Sequence, residues 1–390
     1  MFSLNTKNGE AVIYAETIEQ NAISQIMAMA NSPVGENAHI RIMPDAHTGK
    51  GCVIGTTMKV TDKVCPNMVG VDIGCGVDLI KSDIDFASRL EELDKVIREN
   101  IPYGMGVRQG KSYPAYRPLK ELRCWDKLSA ETQERAERAL GTLGGGNHFI
   151  EAYKDGWLSV HSGSRDVGIA VANHYQKLAE KRISEQNHKI LYEEMLKIEP
   201  AKREDWAKEH KISVATELSY LTGQDMEDYL HDVGIMQEFA NQNRFTMLFI
   251  ITQVMKGRIL NHIQSIHNYI DLDTMTLRKG AISAKEGETL VIPLNMRDGI
   301  LICKGKGNEE WNCSAPHGAG RLYSRSKAKE LFSVEDYKET MKGIFSTCIG
   351  ASTIDESPFA YKDYQEIMQA IEPTVEIEER LIPIFNFKAN

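Results

Sequence analysis

Over roughly the first 84 residues, apolar and polar positions fall into short runs broken by glycine. This pattern predicts β segments at 11–14, 39–43, 52–60 and 69–79. Segments 87–99 and 127–140 carry helical spacing, and three glycines at 144–146 then break the chain. Two further β segments, 148–153 and 157–161, flank Asp155-Gly156, a dipeptide favoured in two-residue hairpin turns. From 169 to about 266 the period becomes helical: Ala172, Tyr175, Ala179 and Ile183 recur at spacings of three and four, as one buried face requires. Strand patterns return at 272–284, 289–293 and 300–303. A helix over about 320–331 follows, and the chain ends in a helix and then a strand. No repeat, low-complexity tract or linker interrupts the pattern. It predicts an α+β fold, β-sheets flanked by helices, as a single domain over 1–390 with a helix-rich section at about 169–266.

Composition narrows the class. The 390 residues carry a formal net charge of −9, with 42% hydrophobic and 26% charged positions, as in ordinary globular proteins. An acidic total argues against indiscriminate coating of nucleic acid, which needs broad basic surfaces, yet it leaves room for a local basic groove. The most apolar stretch, 247–251, is far too short to span a bilayer. The chain begins without a basic segment followed by an apolar one. Seven cysteines, an odd number scattered along the chain, do not suit a secreted disulfide framework. A cytoplasmic protein without a membrane span is expected.

Four glycine-rich stretches each hold a histidine or a cysteine. The first is Pro44-Asp45-Ala46-His47-Thr48-Gly49-Lys50-Gly51 and the second Gly70-Val71-Asp72-Ile73-Gly74-Cys75-Gly76. In a regular strand Asp72 and Cys75 face opposite sides, but Gly74 and Gly76 permit a turn that joins them. A carboxylate and a thiolate on one ion suit zinc, manganese or iron better than calcium or magnesium. A buried thiol beside a turn carboxylate fits the same residues equally well. The third stretch contains the hairpin. A two-residue turn puts Lys154 against Trp157 and His161 against Ile150, so that His148 and His161 share a sheet face as diagonal neighbours, about 7–8 Å apart at Cα. Ser162-Gly163-Ser164-Arg165 then reads as an anion cradle or an ordinary loop, and His267, after a helix, adds another imidazole. The fourth stretch, Pro316-His317-Gly318-Ala319-Gly320-Arg321, leaves His317 open to a bulky substrate. Arg321, Arg325 and Lys327 are expected to begin a helix there. A histidine so placed can act as a nucleophile toward phosphorus.

In their order along the chain these segments strongly resemble the RtcB family of GTP- and manganese-dependent RNA ligases. The resemblance rests on Pro-Asp-Ala-His-Thr-Gly-Lys-Gly at 44–51, Val-Gly-Val-Asp-Ile-Gly-Cys-Gly at 69–76 and Gly-Gly-Asn-His-Phe-Ile-Glu at 145–151. It continues with His-Ser-Gly-Ser-Arg at 161–165, His-Asn-Tyr at 267–269 and His-Gly-Ala-Gly-Arg at 317–321. It implies a single-domain α+β fold and two Mn²⁺ ions held by Asp72, Cys75, His148, His161 and His267, with Cys75 bridging. His317 is implied as the histidine that becomes guanylylated by GTP. Asn147, Glu151, Asn295, Gly318, Ala319, Gly320, Tyr361 and Lys388 fall at nucleotide-contacting positions, Glu151 being the acceptor type that reads a guanine edge. The implied partners are GTP and RNA bearing a 3′-phosphate or 2′,3′-cyclic phosphate and a 5′-hydroxyl, joined in RNA repair or tRNA splicing. Lys50, Arg165, Arg321 and Arg325 are expected to hold RNA phosphates. The resemblance leaves open an activating protein partner and the oligomeric state.

One segment departs from the family pattern. Where members usually carry Pro-Gly-Ser-Met-Gly and a second serine, this chain has Pro293-Leu294-Asn295-Met296-Arg297-Asp298-Gly299-Ile300. Both serine positions are replaced, by Asn295 and Ile300, which marks a divergent branch. Either Asn295 and Arg297 compensate, or the chain is a metal-dependent cyclic phosphoesterase that processes RNA ends without joining them. A non-catalytic RNA-binding protein has no need of five ligands and a nucleophile in register.

Overall fold

The computed structural model describes residues 1–110 and 116–388. Among the described residues, helices are interspersed with the strands of four sheets, in agreement with the α+β expectation. A six-stranded sheet runs in the order Phe2–Thr6, Gly9–Ile13, Ile40–His47, Ile54–Lys59, Thr276–Lys279 and Asn268–Asp271. A five-stranded antiparallel sheet runs Pro383–Lys388, Phe149–Tyr153, Trp157–Ser162, Gly76–Ser82 and Ile259–Ile266. Two smaller sheets complete the β structure: Thr289–Asn295, Gly299–Gly305 and Val375–Leu381 form one, and Ala281–Ser283 with Ser314–Pro316 forms the other.

The Gly223–Val254 helix crosses the five-stranded sheet. Met226, Tyr229, Val233, Met236, Ala240, Met247 and Ile251 are buried along it at the three-and-four spacing of a core-facing stripe. Apolar residues of the Phe149–Tyr153 strand meet those of the Gly299–Gly305 strand on the sheet's other face, where Phe149, Tyr153, Ile300 and Ile302 join one cluster. Among the described residues, no helix is long and apolar enough to cross a membrane.

Several boundaries differ from those the sequence predicts. Helix does not continue to 266: it ends at Val254, and Ile259–Ile266 is a strand. Ile259, Ile263 and Ile266 are four and three residues apart and so mimic a helical face, whereas the burial alternates, with Ile263 and Ser265 inward and Leu260 and Gln264 exposed. His267 therefore follows a strand. The hairpin turn holds three residues, Lys154–Gly156, with Asp155 and Gly156 both at positive φ (58° and 79°). The extra residue shifts the register by one, so that His161 stands opposite Phe149 and not Ile150. Of the helix predicted over about 320–331, Arg325–Leu331 is helical, with the Ser324 hydroxyl capping the Lys327 amide, so Arg321 lies before the helix. The strand Phe2–Thr6 and the helix Gln20–Ala30 are absent from the predicted elements, although Ala22, Ile26, Met29 and Ala30 are buried at helical spacing.

Candidate active site

Three strand ends bring the reactive side chains together. Gly76 is paired on both sides, with Ser162 and with Ile266, which sets Cys75 beside His267; the His267 amide donates to the Cys75 carbonyl at 2.9 Å. Asp72 comes to the same side through a turn in which the Cys75 amide donates to the Asp72 carbonyl at 3.2 Å. Gly74, at φ 74°, makes that turn possible beneath the long helix, because a Cβ there would sit 2.9 Å from both Ala240 Cβ and Gln237 Cα.

Two triads of ligand atoms result, Asp72 with Cys75 and His148, and Cys75 with His161 and His267, the atoms of each triad lying within 4.8 Å of one another. Cys75 belongs to both, its Sγ 3.7 Å from His148 Nε2 and 3.3 Å from His161 Nε2. His148 and His161 meet although the predicted shared face is lost, since His148 precedes its strand and is free of the alternation. The outer nitrogens orient the rings. His148 Nδ1 donates to the Leu143 carbonyl at 2.7 Å and His161 Nδ1 to the Asn147 carbonyl at 3.1 Å, which turns both Nε2 atoms inward, that of His148 to within 3.1 Å of Asp72 Oδ2. Burial, together with neighbouring cations, holds His161 and His267 well below the usual imidazole range, so both are neutral donors at pH 7. Burial and the Asp72 carboxylate push the Cys75 thiol up, so that it ionises only beside a cation. Three imidazoles, one carboxylate and a shared sulfur fit a pair of transition-metal ions with three protein ligands each and positions to spare.

A buried polar pair anchors these ligands. Asn243 and Arg244 interrupt the apolar stripe of the long helix, and both side chains are fully buried. Arg244 donates to the Gly74 and Ser162 carbonyls, at 2.7 and 3.0 Å, and pairs with Asp78. Asn243 holds the Thr142 amide and the Thr142 and Gly163 carbonyls. The neighbours of Cys75 and His161, and the loop that leads to His148, are thus tied to one helix turn. A polar pair inside an apolar helical stripe is a signal visible in the sequence, and the motif reading passed over it.

His317 stands next to the triads, its ring centroid 4.9 Å from that of His267. Its Nδ1 lies 2.7 Å from Asp45 Oδ2, and the Asp45 carboxylate is fully buried. Asp45 sits within the first glycine-rich stretch and was not assigned a role from sequence. A cleft of about 390 Å³ opens over His317. Asn147, Glu151, Asn295, Gly318, Ala319, Gly320, Tyr361 and Lys388 all line it, with His161 and His267, while Asp72, Cys75 and His148 lie beyond its wall.

Charges at one end of the cleft converge on Glu356, another residue that sequence reasoning missed. Its carboxylate lies 2.8 Å from Lys388 Nζ and 3.2 Å from Arg321, it pairs with Arg325, and it accepts the Tyr361 hydroxyl at 2.7 Å. The expected anion cradle turns most of its donors to the protein and leaves the buried Ser164 hydroxyl without a partner. Ser162 Oγ donates to the Leu143 carbonyl and the Ser164 amide to Asp72, and Arg165 turns to Thr142 Oγ1 and the Gly104 carbonyl.

A family model described as tRNA-splicing ligase RtcB matches residues 25–123 and 113–389, nearly the whole chain. The chain belongs to the RtcB family. RNA-splicing ligase RtcB of Escherichia coli K12 is 32% identical to it over 96% of each chain. The tRNA-splicing ligase RtcB of Methanococcus maripaludis is 26% identical over 90% of this chain and 88% of its own, and RNA-splicing ligase RtcB2 of Escherichia coli ATCC 25922 is 27% identical over 91% and 88%.

Within this RtcB-family chain the departing loop is internally satisfied. Asn295 Oδ1 accepts the Arg297 and Asp298 amides, and its Nδ2 donates to Asp298 Oδ2 at 2.8 Å. Arg297 engages Asp298 and Thr340, and Ile300 is fully buried in the apolar cluster.

Proposed function

We propose that this RtcB-family chain is a GTP- and Mn²⁺-dependent RNA ligase that joins RNA 3′-phosphate or 2′,3′-cyclic phosphate ends to 5′-hydroxyl ends through a guanylylated His317. The observation that carries this reading is the setting of His317. Asp45 accepts a hydrogen bond from Nδ1–H, so the Nε2 lone pair is free in a cleft bordered by His161 and His267. The names of the relatives, RNA-splicing and tRNA-splicing ligases, support the RNA-joining part of this reading.

In this reading His317 Nε2 attacks the α-phosphorus of GTP, and a P–N bond forms as the bond to pyrophosphate breaks. Asp45 stabilises the positive charge that grows on the imidazole. An oxygen of the RNA 3′-phosphate then attacks the same phosphorus, which frees His317 and leaves a GMP-capped 3′ end. A 5′-hydroxyl of the second strand attacks that 3′-phosphate, the 3′–5′ bond forms and GMP departs. Cyclic ends are first opened by water. Asp72, Cys75, His148, His161 and His267 are the residues that would hold two Mn²⁺ ions, which supply charge neutralisation and orientation of phosphate oxygens. Asn147, Glu151, Asn295, the Gly318–Gly320 backbone, Tyr361 and Lys388 are assigned to the guanylate. Lys50, Arg321 and Arg325 are assigned to RNA phosphates. One catalytic domain serves all three steps, as a cleft lined by residues from Glu19 to Lys388 suggests. Seven unpaired cysteines suit the reducing cytoplasm, where RNA repair or tRNA splicing takes place, with or without an activating protein partner.

The satisfied Asn295 side chain and the buried Ile300 favour a second reading, in which the guanylate is held too weakly and the chain only processes cyclic ends. Supplying cyclic-phosphate and 5′-hydroxyl RNA halves with GTP and Mn²⁺ separates the two. A joined product is expected, whereas opened ends without joining overturn the ligase reading in favour of the phosphoesterase.

A further inference from the structure

Glu151 is a buried carboxylate whose two oxygens are separately held. Tyr153, two residues along the same strand and on the same face, donates its hydroxyl to Oε2 at 2.7 Å and lies 3.0 Å from Ser159 Oγ. Asn386 stands directly opposite Glu151 in the neighbouring strand and donates Nδ2 to Oε1 at 2.7 Å. All four residues are buried. Asn386 keeps its own Oδ1 without a partner, an unfavourable arrangement for which the bond to Glu151 is the only return. Lys388, opposite Phe149 and over its ring, adds positive charge from the same strand as Asn386, although Glu356 pairs with it. The strand packed on this face brings Ile300 and Ile302 against it, and its Lys304 is exposed at the far end.

We propose that Asn386 and Tyr153 are specificity-determining positioning residues: they hold the Glu151 carboxylate charged and oriented so that the cleft accepts a guanine edge and rejects an adenine edge. The proposal rests on the reading that this cleft takes GTP. A carboxylate offers about four lone-pair sites. The clamp occupies one on each oxygen, which leaves one on each for the N1–H and N2–H donors of guanine. Adenine presents an acceptor at N1 and a donor at N6, a pattern that suits a protonated carboxyl group and not a carboxylate. The charge state of Glu151 therefore sets the choice of base, and that state is finely poised. Burial pushes Glu151 up to about 7, against the opposing pull of Tyr153, Asn386 and Lys388. Without the clamp the acid form prevails at neutral pH, and the discrimination against adenine is lost.

The test compares covalent labelling of the full chain by α-labelled GTP and α-labelled ATP in Mn²⁺, for wild type, Asn386→Asp and Tyr153→Phe. Asn386→Asp preserves shape while it replaces a donor with a like charge; Tyr153→Phe removes only a hydroxyl, so a folded variant is available if the first is unstable. The GTP-to-ATP labelling ratio is expected to fall about tenfold or more in each. In wild type the ratio should itself fall from mildly alkaline to mildly acid pH as Glu151 protonates, a profile that a packing role does not produce. Folded variants that keep the wild-type ratio overturn this inference and leave the GTP reading intact. A wild type labelled equally by both nucleotides overturns the inference as well. A wild type labelled by neither overturns the GTP reading and, with it, this inference.

Discussion

Asp45 and His317 are 272 residues apart in the chain and 2.7 Å apart in space, carboxylate oxygen to Nδ1. The pairing determines which imidazole nitrogen is free, since the carboxylate holds the proton on Nδ1 and leaves Nε2 for the cleft that His317 lines. Asp45→Asn keeps the shape but removes the charge that stabilises the imidazolium, and it permits the wrong tautomer. Covalent labelling by GTP is expected to slow by about 10²-fold or more, with Mn²⁺ affinity unchanged. Single-turnover labelling and calorimetric titration measure the two quantities separately; a wild-type labelling rate would remove Asp45 from the mechanism.

Asp72 is sensitive to a residue that carries no chemistry. A Cβ at Gly163 would stand 2.1 Å from Asp72 Oδ1, which also accepts the Ser164 amide at 2.9 Å. Gly163→Ala must displace the carboxylate, and the expected result is a loss of about 10–100-fold in Mn²⁺ affinity by calorimetry. Unchanged affinity would place Asp72 outside the ligand set.

Arg244 and Asp78 form a pair with both side chains fully buried, and His262 lies 2.8 Å from the second Asp78 oxygen. Arg244→Met strips the guanidinium from Asp78, leaving His262 and Gln264 at its second oxygen, and frees the Gly74 and Ser162 carbonyls. A stability loss of about 3–5 kcal/mol is expected in urea unfolding of the metal-free protein. A midpoint equal to that of wild type would show that the pair carries no structural load.

Glu356 makes stability depend on acid. Burial raises its carboxyl, but Lys388, Arg325 and Arg321 outweigh burial and hold it at about 2, against 4.5 ordinarily. A depressed carboxyl stabilises the fold above its unfolded pKa. This contribution, about 3 kcal/mol, is therefore complete above about pH 4.5 and lost as pH falls toward 2. Glu356→Gln should lower stability at neutral pH and flatten the acid limb of the unfolding curve. An acid limb as steep as that of wild type would contradict the assignment.

Much of the site was legible because its chemistry sits in glycine-rich bends, where a motif is local and its order along the chain is distinctive. Asp72 with Cys75, and His317 with its glycines, could be read in this way, and the match to the RtcB family model covers the same segments. What escaped depends on contacts between distant segments. Asp45 acquires its partner only when the Ile40–His47 strand meets the His317 loop, and Glu356 only when the chain's final strand brings Lys388 to it. Local pattern also misled where it was ambiguous. The isoleucines of Ile259–Ile266 mimic a helix, and Asp155-Gly156 sits in a turn that recruits Lys154, which moves His161 by one register step.

Under the proposed function His317 carries GMP covalently. Incubating the full chain with GTP labelled at the α-phosphate and Mn²⁺, then denaturing it, should leave an acid-labile, alkali-stable label on wild type and none on His317→Ala. A wild type that takes up no label in Mn²⁺, or a His317→Ala variant labelled as fully as wild type, would contradict the account.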